Sequence, residues 1–416
     1  MQPVNLINKL PYTTKLITKF LIKQEAGSNL SNTRFAQDTL TNLAPKAIFA
    51  RSRADLAETS FLELTESFLV YYCPKILGEN VFRKIYSKKL AQNLKPLVST
   101  PYTELVKTTS KENADKIMPV KAAIALGAMA IPLLEYSLTF AKNLFTLKLF
   151  KQGDFNNIAN LNKDKTETEQ RQKKVKNSAI KNIAGAAAVF GGCLATSLLL
   201  VKKGQNSKVL KHIGEFILAP GNKLFAGSPK KAAFVNKYFS LDFAERNGKL
   251  ALSNGQLTAC VLIGGAGYFK SAKDRGKQNF LETLFRFPLV GFYVITGSEL
   301  LEKGFKTLLK NKEGFKNLIA KDLSVPKFAD LGEIAKNLAA KNKTCINDEF
   351  KTLCKNKILI TSVPFLFSIG VMGLFVSGVS RFFTKFRYDK EEAAKRLKAG
   401  ESHSERQLPD VYKNFM

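Results

Sequence analysis

The chain has 416 residues and carries 65 Lys and Arg against 34 Asp and Glu, a formal net charge of +31. Its 45% hydrophobic content is ordinary, but the charges are absent from several windows of about twenty residues, the length that crosses a ~30 Å hydrocarbon core. A soluble amphipathic helix alternates polar and apolar faces, so segregation of this kind excludes a simple water-soluble composition and predicts an all-α, multi-pass integral membrane protein with four or five transmembrane helices plus extramembrane helices.

Residues 1–116 read as an N-terminal extramembrane helical region. No uninterrupted apolar leader is present, because Lys9, Lys15, Lys19 and Lys23 break up the first segment. Ile17, Phe20 and Leu21 against those lysines give a basic amphipathic helix, suited to a membrane surface or to packing on its own domain. A second helix is expected from Glu58 to Cys73, stopped by Pro74. Phe61, Leu64, Phe68, Leu69 and Tyr72 would form its core stripe, with Glu58, Glu63 and Glu66 on the polar side.

Residues 117–303 are expected to hold four membrane helices, near 122–141, 182–201, 250–269 and 287–301, with polar connectors. The fourth is short, with only twelve residues between Arg286 and Glu299, and is read as a span whose end charges snorkel. The connector 151–177 is nearly free of large apolar residues and reads as a solvated loop or disorder. Residues 304–357 form a Lys-rich surface connection with helical pattern at Phe328 to Ala340. Residues 358–380 are the last membrane helix, and 381–416 a polar tail. With five spans, 41 basic residues fall on the side of the N-terminus and 24 on the other, which favours a cytoplasmic N-terminus in a cell membrane.

Glu135 is the candidate intramembrane functional residue. A carboxylate amid an apolar helix costs about 2.5–3.5 kcal/mol on insertion scales, so it marks a proton or cation site or a structural ion pair. Pro132 frees a backbone carbonyl one turn earlier, and Lys142 lies on the same face seven residues on. Small residues recur at four-residue spacing along two lines, Ala184, Ala188 and Gly192, and Ala187, Gly191 and Ala195, and again at Gly373 and Ser377. Such lines permit close helix packing in lipid, within the bundle or between copies in a homo-oligomer. Gly264, Gly265 and Gly267 lack the surroundings of a phosphate loop and read the same way.

Catalytic and metal chemistry has little to draw on. The two histidines, His212 and His403, have no neighbouring ligand, and no GxSxG or HExxH motif occurs. Five cysteines include no CxxC pair, and Cys345 and Cys354 are read as free thiols rather than a bridge. No cofactor is expected. The basic charge is spread over every polar segment and is Lys-rich, so anionic headgroups of the bilayer, and other membrane proteins, are the expected partners rather than nucleic acid. The sequence does not determine the function. Its first reading is a non-enzymatic membrane scaffold or interaction protein at an anionic surface; the alternatives are a small transporter or channel component using Glu135, and a membrane-embedded lipid-modifying enzyme.

Overall fold

The computed structural model describes residues 3–25, 32, 35–36, 38–162, 167–246 and 249–398. The chain is 82% helical, and its strands are the short antiparallel pair β1 (Ala244–Arg246) and β2 (Lys249–Ala251), so the all-α class holds. Residues 399–416 of the expected polar tail, with His403, lie outside the described residues.

In chain order the main helices are α1 (Tyr12–Glu25), α2 (Arg53–Cys73), α3 (Lys111–Ala128), α4 (Ala130–Phe150), α5 (Glu169–Lys203), α6 (Lys208–Leu218), α7 (254–275), α8 (Lys277–Leu309), α9 (Leu331–Asn342) and α10 (Ile346–Leu397). Local chemistry sets their ends. Ser52 caps α2 by accepting from the Asp55 N–H, and Ser253 and Gln256 form a reciprocal capping box on α7. The chain breaks at Met129 because Pro132 has no N–H to give the Ala128 carbonyl, four residues back. Gly276, at φ +126°, makes the turn from α7 into α8, a conformation that L side chains rarely adopt.

Among the described residues four helices are long and apolar enough to cross a membrane, by length and composition: Lys111–Phe150 (α3 with α4), α5, α8 and α10. The expected spans near 182–201, 287–301 and 358–380 fall inside α5, α8 and α10, while 122–141 straddles the Met129 break. The window 250–269 is corrected. Leu250 and Ala251 belong to β2, the helix begins only at Asn254, and Lys270, Lys273, Asp274 and Arg275 occupy its last turns. That leaves too short an apolar run for α7 to stand among the four.

The α3–α4 rod is central, with 78% of its most apolar stretch buried, against 17% for α5, 6% for α8 and 11% for α10. Around α3, Ile117, Met118, Ala122 and Ile124 pack against Leu200 of α5, Leu218 of α6 and Phe82. Lys121, though buried, pairs with Asp242 at 2.8 Å and donates to the Val98 carbonyl, which ties the 240–243 loop to the rod. A second core joins Leu6, Ile7, Leu10 and Leu21 of the N-terminus to Phe328 and Leu331 of the 304–357 connection and Phe350 of α10. In chain terms the first and the Lys-rich segments fold together.

Two helices bury polar side chains and expose apolar ones beside their buried Leu21, Leu62 and Leu69. In α2, Glu58 and Glu63 are buried whereas Leu56, Leu64 and Phe68 are exposed. Of the expected core stripe, Leu69 is buried, Phe61 and Tyr72 are half-buried, and Leu64 and Phe68 point outward; of the expected polar side, Glu58 and Glu63 point inward. In α1, Thr14 and Thr18 are buried while Tyr12, Leu16 and Phe20 are exposed.

Candidate functional site: a charged cavity at the centre of the bundle

A cavity of about 250 Å³ lies between α2, α4, α7 and α8, closed on further sides by the 38–51 segment and by Arg381 of α10. The inward carboxylates of α2 form one wall. Because α2 and α4 run antiparallel, Glu58 meets Lys142 at one end, and Glu66 meets the charge of Glu135 at the other. The π-helical turn Cys260–Gly264 of α7 brings the Cys260 thiol onto Glu135, and such turns are frequent at functional sites. At Gly264 a side chain would come within 3.3 Å of Glu135 Oε2, so glycine keeps the approach open.

The two ends differ in charge. At one, Arg275 Nη1 pairs with Glu58 Oε1 at 2.7 Å, Lys142 joins the same carboxylate at 3.3 Å, and Thr146 Oγ1 donates to Glu58 Oε2 at 2.7 Å. Arg51 bridges Glu282 at 2.9 Å and Asp55 at 3.2 Å; Arg286 lies 3.6 Å from Glu282 and Arg381 3.7 Å from Asp55. This end therefore holds five cations (Arg51, Lys142, Arg275, Arg286, Arg381) against three carboxylates (Asp55, Glu58, Glu282). At the other end Lys46 pairs with Glu63, Ser67 and Asn42 donate to Asp38, and Tyr268 donates to Glu66 at 2.5 Å. Here four carboxylates (Asp38, Glu63, Glu66, Glu135) face one cation, in a chain whose net charge is strongly positive.

Buried polar atoms are normally hydrogen-bonded. Three that belong to cavity-lining residues are not: Glu135 Oε1, an acceptor at the acidic end, and Asn279 Nδ2 and Arg381 Nε, donors toward the basic end. Arg275 Nε and Nη2 and both amide atoms of Asn143 are likewise buried without protein partners. A larger recess of about 700 Å³ lies between residues 101–107, 229–240 and the strand pair. Its carboxylate, Asp242, is already committed to Lys121, so the ionisable chemistry converges on the smaller cavity.

The structure places Glu135 at the acidic end of this cavity, 6% exposed. Lys142, on the same helix face, is drawn to Glu58 rather than to Glu135. The small-residue lines of α5 are not where the bundle packs: Ala184, Ala187, Ala188, Gly191, Gly192 and Ala195 are all exposed, and no other part of the described chain comes within 4 Å of a side chain placed at Gly191 or Gly192. The buried line of α5 is Val175, Ala179, Asn182, Ala186, Ser197 and Leu200, because these face α3 and α4. Gly373 and Ser377 are both buried, and at Gly373 a side chain would strike the Thr41 carbonyl at 2.6 Å. Cys345 and Cys354 are free, the first exposed and the second buried. His212 is exposed on α6. Among the described residues no group of three His, Cys, Asp or Glu is placed to hold a metal ion.

Residues of this site that the sequence did not single out are Arg51, Asp55, Glu58, Glu66, Arg275, Glu282 and Arg381. The available signal was the spacing of Asp55, Glu58 and Glu66 within one helix whose other face is apolar; its inward direction was not encoded in the period. No family model matches the chain, and neither does any curated protein or solved structure, so the functional reading rests on the residues themselves.

Proposed function

We propose that the chain is a multi-pass membrane protein that moves a small charged solute through its central cavity, with Glu135 and Glu66 as the pair that binds the solute or a coupling proton. Support for the membrane setting is the apolar belt: Leu198, Leu289, Phe292, Leu366 and Phe375 stand 43–64% exposed on α5, α8 and α10. Soluble monomers rarely expose contiguous apolar patches above a few hundred Å². Outward apolar faces on α1 and α2 extend the same pattern.

The observation that carries the transport reading is the unpartnered Glu135 Oε1 inside a cavity lined by ionisable groups. A scaffold has no use for such a group at depth, where ionisable side chains are costly and line substrate or ion paths. Two carboxylates sharing a buried site cannot both ionise cheaply, which makes the Glu66–Glu135 pair a natural proton holder.

The test is proteoliposomes loaded with a pH-sensitive dye and challenged, under an imposed pH gradient, with monovalent cations, with an amino-acid mixture and with short glycine peptides. Solute-dependent proton movement is expected, lost in Glu135→Gln while abundance and insertion stay at wild-type level. No movement with any solute, or equal activity in Glu135→Gln, refutes the reading.

A second reading, a scaffold built from several copies, is favoured by one observation. The outward line Ala184, Ala188 and Gly192 on α5 leaves its backbone open to close approach by another helix. Large substitutions there would then abolish self-association without touching uptake.

A further inference from the structure

We infer that the cavity takes a linear zwitterion, its ammonium on Glu135 and Glu66 and its anionic end on Arg381 and Asn279. The inference rests on the transport reading above and names its substrate class. It follows from which polar atoms are left over. Glu135, Asn279 and Arg381 are 6%, 8% and 7% exposed, and each keeps one side-chain atom without a protein partner. The left-over atom is an acceptor at one end and a donor at the other. A lone cation would satisfy Glu135 and leave the Arg381 and Asn279 donors bare; a lone anion would do the reverse. Burying an unpaired polar group is unfavourable in either case, and a single ligand with a donor head and an acceptor tail satisfies all three.

Charge agrees with this count. The acidic end holds four carboxylates to one cation and the basic end five cations to three carboxylates, so the cavity is polarised along its length. The lining also holds Leu62, which lies four residues from both Glu58 and Glu66 on α2, and Leu257, Val261 and Val290, which suits a ligand with an uncharged middle. Length follows from the helices. Glu135 and Lys142 are seven residues apart on α4, and Asp55, the partner of Arg381, is eleven residues from Glu66 on α2. At ~1.5 Å per residue the charged ends lie roughly 10–16 Å apart. An extended peptide covers about 3.3–3.6 Å per residue, so about three small residues span the shorter of these distances and about five the longer. A free amino acid is too short, and the cavity of about 250 Å³ has no room for large side chains.

The probe is triglycine, tested on the detergent-solubilised full chain by calorimetric titration and thermal shift, beside glycine, triglycine amide and N-acetyl-triglycine. Triglycine is expected to bind and to raise the melting temperature. Each singly blocked form is expected to bind at least about tenfold more weakly, since a hydrogen bond to a charged group contributes roughly 1.5–3 kcal/mol. Because the comparison uses unaltered protein, misfolding of a variant cannot mimic the result. Equal binding of the amide shows that only the ammonium is read; equal binding of the acetylated form shows that only the carboxylate is read. Either result, or no binding of triglycine, overturns the inference. Proton-coupled uptake of cations or amino acids would in that case leave the transport reading standing. Triglycine binding without uptake of any solute would overturn transport and leave the zwitterion site.

Discussion

Glu58 is the residue whose removal should be felt most in folding, and the reason can be worked from its partners. Its carboxylate takes Arg275 at 2.7 Å, Lys142 at 3.3 Å and the Thr146 hydroxyl at 2.7 Å, and Arg275 is fully buried. Glu58→Gln keeps the shape and removes the charge, leaving two buried cations uncompensated. Breaking a buried pair in this one-sided way costs about 3–5 kcal/mol, roughly a hundredfold to a few thousandfold in the folded-to-unfolded ratio by the ~1.4 kcal/mol per decade rule. Arg275→Met should cost less, because Glu58 keeps Lys142 at 3.3 Å as its counter-ion. The two losses should not add. In a double-mutant cycle the pair should recover at least ~1–2 kcal/mol, because residues in one network couple.

The assay is chemical denaturation of the detergent-solubilised protein, followed by far-UV circular dichroism for wild type, both single variants and the double. A cost of only about 0–1 kcal/mol for Glu58→Gln, the range of solvent-exposed pairs, would refute the reasoning. It would mean that water fills the cavity and screens these charges, and that the pairing seen around Glu58 is not what holds α2 against α4 and α7.

Three further outcomes are expected. Gly127→Ala should lower stability by about 1–3 kcal/mol through overpacking, since the new methyl would sit 2.8 Å from the Phe82 ring, whereas Gly191→Ala, with open space around it, should leave the melting temperature unchanged. Cys345 should react with a maleimide in the native protein, and the buried Cys73, Cys260 and Cys354 only after denaturation; rapid native labelling of Cys260 would show that the cavity wall is open to reagent. Membranes washed in alkaline carbonate should retain the chain in the pellet, and release into the supernatant would remove the basis for reading the exposed apolar faces as a lipid belt.

The sequence was informative where composition alone decides and silent where direction matters. Charge-free runs locate α5, α8 and α10 because length and absence of charge are properties of the run itself, legible without knowing which face is buried. Period is weaker evidence. The pattern of α2 has two faces, and the period does not say that a charged cavity draws some of its carboxylates inward. Glu58 and Glu63 were therefore assigned to solvent, although they are buried. The same ambiguity affected α5, where three lines of small or polar residues run side by side and the described bundle uses the one through Ala179, Asn182 and Ala186. Glu135 was legible because a single carboxylate interrupts an apolar run. Its surroundings were not: Cys260 and Glu66 reach it from helices far away in sequence.

Stability gives no reason for so many charges in one cavity. Replacing a buried ion pair or triad with apolar residues of similar volume is often neutral or stabilising by about 1–4 kcal/mol, although deleting one member is costly. The set Glu58, Lys142 and Arg275 can be tested on that difference. The triple substitution Glu58→Met, Lys142→Met and Arg275→Met removes every charge of the cluster together, so no ion is stranded. If the cluster serves only to hold α2, α4 and α7 together, the triple variant should be no less active than wild type once it folds. If it sets the field at the basic end of the cavity, the variant should insert and melt at or above the wild-type temperature and yet lose uptake in proteoliposomes. A stable variant with full uptake would show that these buried charges neither bind nor steer the solute, and would confine the functional part of the cavity to the end that holds Glu66 and Glu135.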